Sequence, residues 1–289
     1  MILDIIVSGL ISGSTYAILA LGFSLIFGVA RIVNIAHTAF YMLAAYIIYV
    51  LTYKWGAHPV IAMITATILV TVLGIICYKL LIEPIRERES AVLIATIALA
   101  MVLQESMLLG FGGHYLSVQP LIKGYATIMG NKIMYQQLIT IVIAFVALAV
   151  VWTWLSKTRT GLAIRSTAQD REVANLMGMD EGKIAVITMG VSVALAAFTG
   201  AIVVPLTVLN PFMWMHPLVM MMAAVVLGGM GSLKGSFVGA YILGFTEALV
   251  VFLLPGGAYL KVSVALLIMV LVLVVRPEGL FGVFFEEER

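Results

Sequence analysis

Long apolar runs recur along the whole of this chain, and they constrain its fold more than any other feature. A helix needs about 20 apolar residues, at about 1.5 Å each, to cross the hydrocarbon core of a bilayer. The candidate spans are 5–29, 38–53, 60–80, 91–110, 137–156, 186–208, 218–230, 237–254 and 261–275. Three of these, 38–53, 218–230 and 261–275, are short. The sequence therefore predicts eight or nine crossings, with room for broken or re-entrant helices.

The scarcity of charge excludes the soluble classes of protein. Apolar residues make up 63% of the 289 and charged residues only 10%, against roughly 45–50% and about 25% in soluble domains. This balance is incompatible with a soluble enzyme or a disordered chain, and the single cysteine, Cys77, cannot form an internal disulfide. No polar linker divides the chain. We predict a single domain over residues 1–289 that folds as an all-α, polytopic transmembrane helical bundle.

Basic residues indicate how the bundle is oriented. With the N-terminus outside and nine crossings, 12 of the 16 lysines and arginines fall on the inner side. The remaining four, Lys54, Lys123, Lys132 and Lys261, fall on the outer side. Because inner loops are enriched in basic residues, we expect the N-terminus outside and the C-terminus inside. The chain has no polybasic tail, so its expected surroundings are the lipid bilayer and not nucleic acid.

The inner loop 157–185 is the most polar stretch of the chain and is far longer than a connector needs to be. Thr167 and Asp170 have the Thr-x-x-Asp spacing of a helix start. Gly178 suits a helix end, because glycine adopts a positive φ at little cost. The sequence therefore predicts a helix of about ten residues within this loop.

That predicted helix is amphipathic. Val173, Leu176 and Met177 lie at i, i+3 and i+4 and form one apolar stripe. A helix this short is marginal alone, so another surface must cover the stripe. The cover is either the inner rim of the protein and its lipid, or a groove on a separate cytoplasmic subunit, and the length of the loop favours the second.

Several motifs, in order along nearly the whole chain, resemble the permease subunits of branched-chain amino acid ABC importers, and most closely the H-type of the two paired permeases. They are Gly9-Leu-Ile-Ser-Gly13 and Ala36-His37 in the opening run, Gly161-Leu-Ala-Ile-Arg165 with Asp170 in the inner loop, Leu227-Gly228-Gly229-Met-Gly231-Ser232 with Glu247, and Arg276-Pro277-Glu278-Gly279. Two positions depart from the pattern. Thr38 stands where relatives often have glycine, and Lys234 where they often have proline.

The resemblance implies a division of labour among several chains. Two permease subunits form the membrane path, two ATPase subunits lie in the cytoplasm, and an extracytoplasmic binding protein delivers the substrate. It implies the cytoplasmic (inner) membrane of a prokaryote and a coupling role for the inner loop. The coupling residues implied are Gly161, Arg165, Thr167, Asp170, Arg171, Val173, Leu176, Met177 and Gly178.

The chain has no phosphate-binding loop of the Gly-x-x-x-x-Gly-Lys-[Ser/Thr] type. The glycine-rich run 228–235 has the wrong order of residues, and no spacing of cysteine and histidine matches a metal site. We therefore expect no catalytic residue, cofactor or metal in this chain, and ATP bound only by partner subunits.

Polar residues at membrane depth are costly and usually face the interior of a bundle. The candidates for the substrate path are Asn34, His37, Tyr41, Gln104, Glu105 and Glu247. Glu247 lies near the predicted midplane, where a gating role and a structural tie between helices are both open. For Glu105 and His37 the structural role is favoured.

Glycines at regular spacing predict close helix packing, with subunit dimerisation as the alternative. The glycines concerned are Gly9, Gly13, Gly22, Gly231, Gly235, Gly239 and Gly244. Residues 13–23 also align with 235–245, with five of eleven positions identical. The predicted topology runs these two segments in opposite directions, so an inverted repeat is possible, and such repeats often flank a substrate path.

Three functions remain open from the residues. The first is a permease subunit of an ABC importer for branched-chain or related amino acids. The second is an ABC permease of the same type for urea or short amides. The third is an ion-coupled secondary carrier or channel, for which only Glu105 and Glu247 could form the ion site.

Overall fold

The structure is a computed structural model, and it describes residues 1–128 and 130–282. The helices of this part are α1 (Ile2–Ala30), α2 (His37–Tyr49), α3 (Pro59–Cys77), α4 (Glu89–Phe111), α5 (Tyr135–Lys157), α6 (Arg159–Gln169), α7 (Arg171–Leu176), α8 (Glu181–Val203), α9 (Met215–Gly228), α10 (Leu233–Leu253) and α11 (Gly257–Val275). Short π-helical turns extend α2 over Val50–Lys54 and α3 over Tyr78–Ile82. Single 3₁₀ turns follow at Glu83–Ile85 and, after α8, at Val204–Leu206.

Each predicted apolar run lies on a helix, which confirms the transmembrane helical bundle. Within the described ranges, seven helices are long and apolar enough to cross a bilayer: α1, α3 with its extension, α4, α5, α8 with its 3₁₀ turn, α10 and α11. Helices α2 and α9 have only 13 and 14 residues. At about 1.5 Å per residue, α9 is about 21 Å long, which is shorter than the hydrocarbon core of about 30 Å. The number of crossings and the orientation stay predictions.

The connector between α4 and α5 differs from the all-α expectation. It contains a small antiparallel hairpin of β1 (Tyr125–Ile128) and β2 (Asn131–Met134), in which Tyr125 pairs with Met134. A second contact ties the same connector to the segment before α9, because Leu116 and Leu209 exchange backbone hydrogen bonds of 2.8 and 3.0 Å. Backbone pairing of this kind satisfies polar groups in a segment that forms no helix.

The helices form a buried centre and an outer ring. Buried residues make up 78% of the spanning window of α1, 72% of that of α8 and 50% of that of α10. The corresponding share is 22% for α3, α4 and α5 and only 6% for α11. The apolar outer faces of these four helices are therefore available to lipid or to other subunits.

Glycine allows backbones to touch where α10 meets its two neighbours. A methyl group on Gly235 would overlap the backbone of Gly228 in α9, and one on Gly244 would overlap the backbone of Gly13 in α1. Gly9 and Gly13 in turn face the rings of Phe245 and Tyr241, which a Cβ would approach to 2.5 and 2.7 Å. The two segments predicted to form an inverted repeat thus pack antiparallel against each other.

The other predicted packing glycines differ among themselves. Gly239 lies against the carbonyl group of Ala224 in α9, and Gly22 lies against the ring of His37. Gly231 has no described atom within 4 Å of an added Cβ and a φ of +87°. The packing role predicted for Gly231 is therefore wrong, because this residue forms the turn between α9 and α10.

We predict that Gly235→Ala destabilises the protein by about 1–3 kcal/mol, the usual cost of forcing a methyl group into a filled contact. The matched control is Gly110→Ala, since Gly110 lies in α4 and has open space around an added Cβ. That control should be neutral or slightly stabilising, because alanine favours helix. Thermal unfolding of the two purified variants in one detergent checks this, and equal stability would contradict the close contact.

Candidate coupling segment and buried polar sites

The turn from α5 into α6 depends on two adjacent interactions. Thr158 caps α6, because its Oγ1 accepts a hydrogen bond of 3.0 Å from the N–H of Gly161. A Cβ on Gly161 would lie 2.5 Å from the carbonyl oxygen of Leu155 and 2.6 Å from that of Trp154. A glycine at this position therefore lets α6 fold back tightly against the end of α5.

The predicted amphipathic helix is shorter than expected and begins later. Asp170 caps α7, because its Oδ1 accepts a hydrogen bond of 3.0 Å from the N–H of Val173. Thr167 does not start a helix; it is buried near the end of α6. The extended backbone of Asp170, with φ −152°, separates the two helices. Gly178 follows α7 with φ +83°, so the turn lies where the sequence placed it.

Helix α7 presents its apolar stripe outward. The exposed fractions are 53% for Val173, 85% for Leu176 and 75% for Met177, whereas Ala174 is buried against the rest of the protein. No described residue covers this stripe. Its exposure is characteristic of a surface that another molecule contacts.

A charged bridge links α7 to the membrane bundle. The Glu181 carboxylate, at the start of α8, lies 3.5 Å from Arg171 Nη1 in α7 and 3.9 Å from Arg86 Nη1 after α3. Partial burial lowers the pKa of the Arg171 guanidinium, although the neighbouring Glu181 acts in the opposite direction. The sequence does not predict this bridge, because Arg86 is distant in the chain and no motif marks it.

Two further polar groups fix the local geometry of the segment. Asp180 caps α8 through a hydrogen bond of 3.1 Å from the N–H of Lys183. This bond and the Lys183 side chain lower the pKa of the Asp180 carboxyl. Arg165 is exposed on α6, and its guanidinium reaches the carbonyl oxygen of Ser156 at 3.5 Å.

Glu247 lies at the centre of a polar cluster to which four helices contribute. It is 6% exposed. Lys261 Nζ of α11 lies 2.6 Å from its Oε1, and His216 Nε2 of α9 lies 3.6 Å from the same atom. The hydroxyl group of Tyr16 in α1 donates a hydrogen bond to Oε2. This geometry ties α1, α9, α10 and α11 together at one point.

The sequence places Lys261 at the outer end of the predicted span 261–275 and gives it no partner. Lys261 lies in the second turn of α11 and points to Glu247, with about a third of its side chain exposed. The available signal was a lone lysine inside an otherwise apolar run, since such a residue usually has a buried partner. No sequence pattern around Tyr16 indicated a polar partner for its hydroxyl group.

Gln104 and Glu105 form a separate site on α4. Gln104 is buried; its Oε1 accepts a hydrogen bond of 3.0 Å from Trp214 Nε1, and its Nε2 donates one of 3.2 Å to Glu105 Oε1. Glu105 itself is exposed on the outer face of the helix. A carboxylate therefore lies on the surface of an apolar helix, about two turns from its end.

The remaining path candidates lie in the closed interior between α1, α2 and α8. Asn34, His37 and Tyr41 are all buried. The ring nitrogens of His37 lie 3.2 Å from the carbonyl oxygen of Leu19 and 3.2 Å from the hydroxyl of Ser192. The structure thus distributes the six predicted path residues over three places instead of bringing them together.

We predict that Lys261→Met destabilises the protein by about 3 kcal/mol, the lower end of the range for breaking a buried ion pair, because Lys261 is partly exposed. Adding Glu247→Gln should recover much of this loss, since it removes the uncompensated charge. Glu247→Gln alone should cost less than Lys261→Met, because the lysine can extend toward the interface. Unfolding measurements on the three variants form a double-mutant cycle, and additive effects would contradict the ion pair.

The comparisons with known proteins cover nearly the whole chain. Residues 5–274 match the family described as "Branched-chain amino acid transport system / permease component". The chain is 30% identical to the high-affinity branched-chain amino acid transport system permease protein BraD of Pseudomonas aeruginosa, over 96% of this chain and 94% of that protein. It is 26% identical to the permease protein LivH of Escherichia coli, over 95% and 94%. It is 25% identical to the probable branched-chain amino acid transport permease protein LivH of Methanocaldococcus jannaschii, over 96% and 92%.

A solved structure has a similar fold. PsaBC from Streptococcus pneumoniae in complex with Fab aligns with a TM-score of 0.52 and 17% identity. The alignment covers 94% of this chain and 91% of that one. At this identity the likeness concerns the arrangement of helices alone.

Proposed function

The chain belongs to the permease components of the branched-chain amino acid transport systems, and on this premise we propose that it is the membrane-spanning subunit of an ABC importer for branched-chain or closely related amino acids. The observation that carries the ATP-driven mechanism is the uncovered apolar stripe of α7. Family membership favours this function over a urea or short-amide permease and over an ion-coupled carrier.

Several other chains take part in transport together with this one. ATP is bound and hydrolysed by two partner ATPase subunits, and a second permease completes the membrane path. A binding protein delivers the substrate from outside. The relatives come from bacteria and an archaeon, which supports the cytoplasmic membrane of a prokaryote. The excess of lysine and arginine on the inner side supports an N-terminus outside.

Coupling follows from the contacts of the inner segment. Val173, Leu176 and Met177 insert into an apolar groove of the ATPase, where burying them is favourable by about 25 cal/mol per Å². Movement of that subunit then reaches the bundle through Arg171, which holds Glu181 at the start of α8. An ion pair between helices transmits displacement only while both partners stay in contact.

We expect Leu176→Glu to uncouple transport, because a carboxylate on the stripe would be buried without a partner in the ATPase groove. The matched control is Asn175→Glu, which adds the same charge to α7 beside the stripe. The measurement is mild-detergent co-purification of the tagged chain, followed by ATP hydrolysis with substrate-loaded binding protein. The proposal requires Leu176→Glu to lose the ATPase subunits or the stimulated hydrolysis while Asn175→Glu keeps both. Equal behaviour of both variants would contradict docking through the stripe.

The substrate path is proposed to run along α4. An ionisable side chain at membrane depth faces a water-filled cavity or a protein partner, and not lipid. Glu105 is exposed in this chain alone, so the second permease or the path itself must cover it. An amino acid brings an ammonium group, for which this carboxylate is a suitable acceptor. Gln104 donates a hydrogen bond to this carboxylate, and Trp214 in turn donates one to Gln104.

We predict that Glu105→Gln raises the substrate concentration needed for half-maximal uptake on the order of tenfold or more, the effect of losing a charged hydrogen bond. The matched control is Ser106→Ala, the exposed neighbour whose hydroxyl donates a hydrogen bond to the carbonyl oxygen of Val102 in its own helix. Uptake by reconstituted complexes, with basal ATP hydrolysis as the check on assembly, measures both variants. Unchanged uptake by Glu105→Gln would remove Glu105 from the path.

A further inference from the structure

An apolar groove runs along the outside of the bundle between α5 and α10, with α1 as its floor. Phe145, Leu148 and Trp152 line it from α5, and Phe237 and Val238 line it from α10. The residues that line this groove include none of the coupling stripe and not Glu105, so the proposed function makes no use of it.

One end of the groove is polar and basic. A second recess continues from the first, because Trp152 and Lys234 line both. Arg165, Ser156 and Ser232 complete this recess. The described residues that line the two recesses include two cations and no carboxylate.

The two cations have no counter-ion in the described part of the chain. Neither Arg165 nor Lys234 lies within 4.0 Å of an aspartate or glutamate oxygen of residues 1–128 and 130–282. Lys234 is also the second residue of α10, where the helix dipole disfavours a cation and favours an anion. Both cations are exposed, so both are available to an anionic group that enters the recess.

From this geometry we propose that the groove binds an anionic phospholipid of the surrounding bilayer. The acyl chain lies along Phe145, Leu148 and Phe237, and the phosphate lies between Lys234 and Arg165. Phe145 and Ser156 are about 16 Å apart along α5 at about 1.5 Å per residue, which matches a headgroup and the first part of a chain. Trp152 lies where the apolar and polar parts meet, the usual position of tryptophan at a membrane interface.

The predicted orientation agrees with this occupant. It places Lys234 and Arg165 at the inner side, and basic recesses between helices on the cytoplasmic side bind anionic headgroups. A zwitterionic lipid such as phosphatidylcholine presents its phosphate together with a cationic amine, so two cations attract it less than they attract a lipid of net negative charge. A helix of another subunit would pair with these cations only if it carried an acidic residue at the same depth in the membrane.

The test uses the quenching of tryptophan fluorescence by lipids brominated in the acyl chain. The assembled complex is placed in nanodiscs of phosphatidylcholine that contain a small fraction of either brominated phosphatidylglycerol or brominated phosphatidylcholine. The contribution of Trp152 is the difference between the wild-type complex and Trp152→Phe. We expect the anionic lipid to be preferred at Trp152 by roughly 30-fold, since each cation near the membrane surface contributes a factor of roughly five.

Two variants and a control locate the site. Lys234→Gln should reduce the preference by roughly fivefold, and Ala149→Phe, which fills the apolar part, should remove the quenching of Trp152 by both lipids. Lys157→Gln, a basic position at the end of α5 that does not line the groove, should keep the preference. Equal quenching by the two brominated lipids would overturn the proposal, as would a protected Trp152 in the assembled complex. The comparison of the two lipids needs only the wild-type complex and Trp152→Phe, so it decides the matter even if Lys234→Gln or Ala149→Phe fails to fold.

Discussion

The contact of backbone against backbone where α10 meets α1 and α9 is the constraint on which the rest of the bundle depends. Lipid tails are as apolar as the side chains of the helices, so burial of apolar area cannot by itself hold helices together in a membrane. Close approach at Gly13, Gly244, Gly228 and Gly235 supplies dispersion contacts instead. The same approach brings polar groups of α1, α9 and α11 within reach of Glu247, where the lower dielectric strengthens each interaction. Glycine spacing and the buried ion pair are therefore two parts of one packing arrangement.

What could be predicted from the sequence was whatever depends on local pattern. Apolar length gives the helices, and Gly178 gives the end of α7. Pairing between residues of different helices was not predictable. Lys261 begins the predicted span 261–275, but no pattern in the sequence identifies Glu247, fourteen residues earlier, as its partner. The break between α6 and α7 was also missed. The Thr-x-x-Asp spacing fitted a single capping box, and only the tertiary burial of Thr167 excludes it.

Helix α8 connects the regions that the proposed function requires. It begins at Glu181, which α7 holds through Arg171, and Ser192 in its middle contacts His37 in the core. The chain that follows it leads to Trp214, whose indole group holds Gln104 beside Glu105. A displacement at the coupling segment can thus reach the outer part of α4 through one rigid helix and a short segment of chain. Each contact on this route can be removed by a single substitution.

Uptake into liposomes distinguishes ATP-driven import from ion-coupled transport. The purified chain, with the permease and ATPase subunits that accompany it, would be reconstituted with ATP inside and a leucine-loaded binding protein outside. If the chain is part of an ABC importer, labelled leucine accumulates only with hydrolysable ATP and the binding protein. An ion gradient alone then drives no uptake. Accumulation driven by an ion gradient in the absence of ATPase subunits would contradict the account and would make Glu105 and Glu247 candidates for an ion-coupling site.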